Sequence, residues 1–246
     1  MENALLIGLS RQVALRREMD VIANNVANLG TTGFKKEAML FEEYQMPKAE
    51  WTADRPRDRE LSYVHDLATI RDYSPGAMVQ TGNPLDVAIN GEGWFVVNTP
   101  VGERYTRNGA FLLNQAGELV TNEGYQVLGE GGPMTFGTED TDIAIASDGT
   151  VSSAAGNKGR LRVVEFETNM VLRPEGSSLF TTDAQATIAV APRVAQGVIE
   201  KSNVQPILEI SRMIEVNRAY QSLANTLEKA DQLRRNAIGK LADIPS

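Results

Sequence analysis

"ANNVANLGTTGFKKE", residues 23–37, lies where a helical pattern of apolar residues ends and a less regular segment begins. Asn24, Asn25 and Asn28 fall in the predicted last turns of that helix. Asparagine is a poor helix former, because its amide competes for backbone hydrogen bonds. The amides either face water at a polar helix end or bond to a neighbouring helix or turn. The second arrangement would fix the register of packing at some cost in stability.

The residues after the asparagines predict a tight turn. Gly30 can adopt the left-handed conformation that ends a helix. Thr31, Thr32 and Gly33 would then form the turn, and Phe34 would anchor the chain beyond it.

Both ends of the chain have the periodicity of helices. Residues 207–238 contain neither glycine nor proline. In each terminal segment, apolar residues recur at alternating steps of three and four, which is the heptad spacing of a coiled-coil seam. Such helices can pair in parallel or antiparallel fashion. The first seam is Leu5, Gly8, Gln12, Leu15, Met19, Ile22, Val26 and Leu29, and the second is Met213, Val216, Tyr220, Leu223, Leu227, Ala230, Ala237 and Leu241, with Arg234 as its one break.

The middle of the chain has the pattern of short strands. Of the 21 glycines, 17 lie between residues 74 and 197. "LDVAIN" (85–90) alternates apolar and polar residues, and similar short runs follow it, separated by turn-forming residues. Short runs that are evenly spaced and separated by turn-forming residues indicate an antiparallel β domain.

These patterns predict an α+β fold in which long N- and C-terminal heptad helices pack as a coiled coil around an inserted antiparallel β-rich domain. The expected divisions are an N-terminal helix and motif (1–34), an extended charged linker (35–74), the β-rich domain (75–200) and a C-terminal helix (201–246). Within the linker, residues 47–66 are dense in charge and lack a consistent period, so we expect them to be extended or ordered only by a partner.

Composition excludes several classes of function. The formal net charge of -8 and the lack of a dense basic cluster argue against nucleic-acid binding. The chain has no cysteine and a single histidine, His65, so thiolate catalysis and His- or Cys-based metal sites are excluded. No apolar run is long enough for a membrane span, and no cleavable signal is recognised. We therefore expect no enzyme activity, no cofactor and no insertion into a membrane.

Three separate motifs resemble one known family. "ANNVANLGTTGFKKE" resembles the N-terminal motif of flagellar axial proteins, the rod and hook subunits. "EISRMIEVNRAYQSLANTLEKADQLRRNAI" (209–238) resembles their C-terminal motif, which follows a Ser-Asn-Val, here residues 202–204. "GNPLDVAINGEGWFVV" (82–97) and "YTRNGAFLLNQAGELVT" (105–121) resemble their β-domain segments. Within the family, the first residues and the modest length are most similar to the proximal-rod subunit.

The resemblance implies a structural subunit of the periplasmic basal-body rod, exported unfolded through the flagellar type III apparatus. Its partners would be proximal and distal rod subunits and further copies of itself, assembled into a helical tube that transmits torque and forms the export channel. The alternatives are a distal-rod subunit or a secreted β-domain protein that binds or hydrolyses glycans.

The expected assembly interface combines the seams with the flanking amides. Its members are Leu15, Met19, Ile22, Asn24, Asn25, Val26, Asn28, Phe34, Met213, Val216, Asn217, Tyr220, Leu223 and Leu227.

Overall fold

A computed structural model describes residues 2–45, 62–167, 172–176 and 178–242. The helices are α1 (Glu2–Ala27) and α2 (Pro206–Ala242). The strands are β1 (Glu37–Gln45), β2 (Ser62–Arg71), β3 (Met78–Gln80), β4 (Val87–Ile89), β5 (Trp94–Thr99), β6 (Gly102–Thr106), β7 (Leu112–Leu113), β8 (Leu119–Val120), β9 (Gln126–Gly129), β10 (Gly132–Pro133), β11 (Ala144–Ile145), β12 (Thr150–Ser153), β13 (Gly156–Arg160), β14 (Val163–Glu165), β15 (Arg173–Pro174), β16 (Leu179–Thr181), β17 (Thr187–Ile188), β18 (Val194–Gln196) and β19 (Val198–Glu200).

The chain forms two compact units. The helical unit comprises residues 1–27, 36–72 and 205–246, and the β unit comprises residues 28–35 and 73–204. The predicted α+β class, with a helix at each end and a β-rich middle, is confirmed.

The helical unit is built on an antiparallel pair of helices. Gly8 lies against Leu227, Glu18 accepts a bond from Arg212, and Asn25 bonds to Glu209 near the start of α2. The antiparallel arrangement is therefore the one of the two predicted pairings that the chain adopts. At 1.5 Å per residue, α1 is about 39 Å long and α2 about 55 Å, so α2 extends beyond the start of α1.

The predicted linker contains regular structure. β1 and β2 pair antiparallel, with Glu37 opposite Arg71, in the helical unit. The expectation for residues 47–66 falls mostly on residues 46–61, which lie outside the described residues. His65 belongs to β2, but its side chain is outside the described part.

The β unit has one main sheet and several smaller ones. Its main sheet runs in the order β15-β16-β6-β5-β9-β8-β7, with β14 joined to β5 and β17 joined to β14. The larger hydrophobic core is formed by Phe95, Phe111 and neighbouring aliphatic side chains. A second core surrounds Trp94 and Phe180, whose ring centroids are 4.9 Å apart in an edge-to-face arrangement.

We expect Phe111→Ala to destabilise the β unit. Phe111 is fully buried and contacts Phe95 edge to face, with 5.2 Å between ring centroids. Removing a buried phenyl ring costs about 3–5 kcal/mol of unfolding free energy. Urea denaturation of the full chain measures the loss. Leu112→Ala, at a half-exposed neighbouring position, is the control and should shift the midpoint little; equal losses in the two variants would contradict this account of the core.

Candidate assembly site

Asn25 organises the end of α1. Its side chain is 1 % exposed. Its Nδ2 donates to the Glu37 carbonyl oxygen at 2.8 Å, and its Oδ1 accepts from the Glu37 N–H at 2.9 Å. This exchange of two bonds has the pattern of a hydrogen-bonded residue pair in an antiparallel sheet. The amide therefore fixes the first residue of β1 against the last turns of α1.

The same amide also reaches α2. Asn25 Nδ2 lies 3.1 Å from Glu209 Oε2, and Lys36 Nζ lies 2.5 Å from Glu209 Oε1. Glu209 is buried in the first turn of α2, where the positive end of the helix dipole favours a carboxylate. Asn25, Lys36, Glu37 and Glu209 are called the Asn25 cluster below. It joins three separate segments of the helical unit.

Asn24 and Asn28 have more local contacts. Asn24 is exposed and donates to Glu37 Oε2 at 3.1 Å, and Arg71 donates to the other oxygen of that carboxylate. Asn28 belongs to the β unit, where its Oδ1 accepts from the Thr31 hydroxyl at 3.1 Å. Of the three asparagines, Asn25 thus fits the prediction of an amide that bonds to a neighbouring helix, whereas Asn24 matches the water-facing alternative more closely.

The turn after α1 depends on Gly33 instead of Gly30. Among the described residues, Gly33 has a φ of 70°, and Gly30 is not among the glycines with positive φ. A Cβ on Gly33 would lie 2.5 Å from the carbonyl carbon of Arg107, and the Gly33 N–H donates to the Glu200 carbonyl at 2.7 Å. The expected left-handed position at Gly30 is therefore wrong, because the close approach of backbone occurs three residues later.

A second buried polar group lies in the β unit. Lys35 Nζ is 2.6 Å from Glu200 Oε1, and Arg107 Nη1 is 3.3 Å from Glu200 Oε2. Lys35, Arg107 and Glu200, called the Glu200 cluster below, are at most 5 % exposed. Glu200 Oε1 also accepts from the Gly76 N–H at 2.9 Å. Two cations and a backbone donor therefore surround one buried carboxylate.

Burial sets the electrostatics of the Glu200 cluster. Desolvation lowers the pKa of Arg107, and the Glu200 carboxylate opposes that change. The Arg107 guanidinium also lies 5.4 Å from the centroid of the Trp94 ring, in reach of a cation–π attraction. Lys35 donates a further bond to the Ser74 carbonyl at 2.8 Å. These contacts offset part of the cost of removing water from around the buried charges.

Most predicted seam residues are half-buried or buried within a single chain. Met19 and Tyr220 are half-buried on the inward faces of α1 and α2. Their role in contacts between subunits stays a prediction. Of the predicted interface residues, Ile22, Asn25, Phe34 and Val216 are buried; Leu15, Met19, Val26, Asn28, Met213, Tyr220, Leu223 and Leu227 are half-buried; and Asn24 and Asn217 are exposed.

Sequence reasoning missed the charged partners. Lys35, Arg107, Glu200 and Glu209 were not predicted as site residues, because residues so far apart in sequence cannot be paired from a single chain. Lys35, Arg107 and Glu209 nevertheless lie inside the motifs "GTTGFKKE", "YTRNGAF" and "EISRM".

Neither a metal centre nor a membrane span is found in the described part of the chain. Its Asp and Glu side chains form no group of three suited to a metal ion. Within the same residues, neither helix combines enough length with enough apolar character to cross a bilayer.

We expect Asn25→Ala to loosen the helical unit. The change leaves the Glu37 N–H and carbonyl without their side-chain partner, and each unsatisfied buried group costs about 1–3 kcal/mol. The free energy of unfolding and the exchange rate of the Glu37 amide proton are the measurements. Asn24→Ala, one residue away but exposed, is the matched control and should leave both nearly unchanged. An unchanged Glu37 exchange rate in Asn25→Ala would argue against this role.

Glu200→Gln should destabilise the β unit more than any change to an exposed ion pair. The substitution leaves Lys35 and Arg107 buried without their counter-charge, and breaking a buried ion pair in this way costs about 3–5 kcal/mol. Glu130→Gln, which removes one partner of the exposed Arg160 pair, is the control. The measurement is the denaturant concentration at the midpoint of unfolding of each variant. Similar midpoints for the two variants would show that the Glu200 cluster contributes no more than a surface contact.

Profiles of known protein families match the chain in the regions that contain these motifs. The profile of the "Flagella basal body rod protein" family matches residues 5–35, and that of "Flagellar basal body rod FlgEFG protein C-terminal" matches residues 195–239. The profile "Flagellar hook protein FlgE/F/G D1 domain" matches residues 88–153. These three ranges contain most of α1 with the turn after it, most of α2, and the centre of the β unit.

Full-length relatives carry rod-protein names. The chain is 39 % identical to the flagellar basal-body rod protein FlgF of Caulobacter vibrioides, over 99 % of this chain and 100 % of the relative. It is 32 % identical to FlgF of Mesorhizobium japonicum, over 98 % of each chain. The identity to the flagellar basal-body rod protein FlgG of Agrobacterium fabrum is 32 %, over 94 % of this chain and 96 % of the relative. The chain therefore belongs to the family of flagellar basal-body rod proteins, and its similarity favours FlgF over the distal-rod alternative.

Proposed function

We propose that this protein is a structural subunit of the proximal part of the flagellar rod, which lies in the periplasm. The observation that carries the proposal is full-length similarity to rod proteins named FlgF, together with the placement of the family motifs in the structure. The N-terminal motif supplies Asn25 and Lys35, which are buried members of the two polar clusters. The motif therefore has a structural use in this chain, and no catalytic group is needed to explain it.

The helical unit suits a role in assembly. In the proposed rod, α1 and α2 pack as a short antiparallel coiled coil, with Ile22 and Val216 among the side chains of its seam. Paired helices with further apolar surface outside the seam can contact neighbouring copies. Contacts between different faces of identical subunits generate an open helical array when the rotation does not close, and such an array is a tube that can grow.

The remaining parts of the proposal concern the partners of the chain, the tube that they form and the route by which the chain reaches it. The partners are other rod subunits of the same family and further copies of this chain. The tube transmits torque and encloses the export channel, and each subunit reaches it unfolded through the flagellar type III export apparatus. The proposal keeps the domain division expected from the sequence, with an N-terminal helix and motif (1–34), an extended charged linker (35–74), a β-rich domain (75–200) and a C-terminal helix (201–246).

The function is tested by Tyr220→Ala in a strain whose only copy of the gene carries the change. Tyr220 is half-buried on the inward face of α2, and its truncation should weaken the helical unit by about 1–3 kcal/mol. Rod completion and swimming should be lost, while the purified chain should keep the melting transition of its β unit.

The control is Ser222→Ala, at an exposed position on the same helix, and a strain that carries it should swim normally. Basal bodies isolated from the wild-type strain should contain the chain. Its absence from them would refute the proposed function, and normal swimming of Tyr220→Ala would show that the helix pair is not needed for assembly.

A further inference from the structure

The chain contains two Asn-Gly pairs, Asn90-Gly91 and Asn108-Gly109, and their surroundings differ. An Asn-Gly pair is chemically labile, because glycine has no side chain to shield its nitrogen from the neighbouring asparagine carboxamide. Both pairs lie in the β unit. The first is in the loop between β4 and β5, and the second follows β6. One reaction can therefore be compared in two environments of a single chain.

The Asn90-Gly91 pair is open to solvent. Both residues are exposed. Among the described residues, the Asn90 carboxamide forms no hydrogen bond, and the Gly91 N–H donates none. Gly91 has a φ of 119°, and a Cβ placed on it would meet no heavy atom within 4 Å beyond its chain neighbours. The carboxamide and the nitrogen that would react are thus accessible to water and are not held by other contacts.

The Asn108-Gly109 pair is protected. Asn108 is 8 % exposed, and its Oδ1 accepts a bond from the Ala110 N–H at 3.1 Å. The Gly109 carbonyl accepts from the Val87 N–H at 2.9 Å, and a Cβ on Gly109 would lie 1.6 Å from the Val87 carbonyl oxygen. Backbone packed this closely cannot move to close a ring without breaking those bonds. Asn108 therefore reacts only in molecules whose β unit has opened locally.

We propose that Asn90 is a site of spontaneous deamidation and isomerisation in the folded protein, and that the isomerised product weakens the hold of Arg107 on this loop. The inference goes beyond the proposed function and does not depend on it. The product of simple deamidation is aspartate, and the isomerised product is isoaspartate, whose main chain runs through the former side chain. Each product carries a carboxylate in place of a neutral amide.

The reaction has two steps. The Gly91 nitrogen loses its proton to hydroxide and attacks Cγ of Asn90. The bond from Cγ to Nδ2 then breaks, ammonia leaves, and a five-membered succinimide ring remains. Water adds to one of the two ring carbonyls and the ring opens, which gives aspartate or isoaspartate according to the carbonyl attacked. The net reaction consumes one water and releases one ammonia.

The modified position borders the Glu200 cluster. The Gly91 carbonyl accepts from Arg107 Nη2 at 2.7 Å, and Arg107 Nη1 lies 3.3 Å from Glu200 Oε2. The Asn90 N–H donates to the Arg193 carbonyl at 2.7 Å. An isoaspartate adds one methylene to the main chain between these two attachments, so it displaces the carbonyl that Arg107 holds. Isomerisation should therefore weaken the β unit, whereas deamidation to aspartate leaves the length of the main chain unchanged.

The site is tested on the purified full chain, which is incubated at mildly alkaline pH, digested with trypsin and analysed by mass spectrometry with fragmentation. Residues 72–104 and 108–158 form separate tryptic peptides, because neither range contains an internal Lys or Arg. Asn90 should convert at least about tenfold faster than Asn108, since the protected pair reacts only after local opening. The rate at Asn90 should rise with pH, because the attacking nitrogen must lose its proton.

Incubation of the same chain in denaturant is the internal control. Once the structure is lost, the two Asn-Gly pairs have the same chemistry and should convert at similar rates. Equal rates at the two sites in the folded chain would overturn the proposal. So would an Asn90 that stays intact in the folded chain while the denatured chain converts. Neither outcome bears on the proposed function, because the assay uses the isolated chain.

The effect on stability is measured as the urea concentration at the midpoint of unfolding. A wild-type chain in which most copies carry isoaspartate should unfold at lower urea concentration than fresh chain. Asn90→Gln is the matched control, because a glutamine amide would have to form a six-membered ring and reacts far more slowly. This variant should keep its midpoint through the same incubation.

Freshly purified Asn90→Asp separates the charge from the added methylene. It carries the new carboxylate on an unchanged main chain, so its midpoint should equal that of fresh wild-type chain. An unchanged midpoint of the isomerised wild-type chain, or an equal loss in fresh Asn90→Asp, would overturn the proposed effect on the Arg107 contact.

Discussion

The hydrogen bonds between the Asn25 side chain and the Glu37 backbone are the interaction on which the helical unit depends. One buried amide satisfies the N–H and the carbonyl of the first residue of β1, and it also donates to Glu209 in the first turn of α2. A hydrophobic contact in this place would tolerate a shift of one segment against another, because such contacts have no direction. Directed bonds to both backbone groups allow one register only.

Two adjacent lysines, Lys35 and Lys36, each form an ion pair with a buried carboxylate. Lys35 forms its ion pair with Glu200 in the β unit, and Lys36 forms its ion pair with Glu209 in the helical unit. Both carboxylates are almost completely buried. Replacement of a buried ion pair by apolar side chains is often neutral for stability, whereas removal of one partner is costly. Such pairs therefore act mainly to specify which segments come together.

The sequence was sufficient to predict the helices and the β-rich middle, because these depend on local periodicity and local propensity. The α1–α2 pairing direction required Gly8, Glu18 and Asn25 to be matched with residues about 200 positions away. The left-handed turn residue was misplaced for a related reason: the constraint on Gly33 comes from the Arg107 backbone, which is distant in sequence. The Glu200 cluster could not be predicted, since spatial neighbours separated by long stretches of chain leave no periodic pattern.

The difference in length between the two helices has a consequence for local stability. By the register of Gly8 with Leu227, α2 continues about nine residues past the start of α1, and these last residues are exposed up to residue 240. An isolated helical segment of that length is marginal in water, so its backbone hydrogen bonds open without disturbing the rest of the helix. Amide protons near Ile238 will therefore exchange with solvent through rapid fraying, whereas those near Val216 exchange only when the two helices separate.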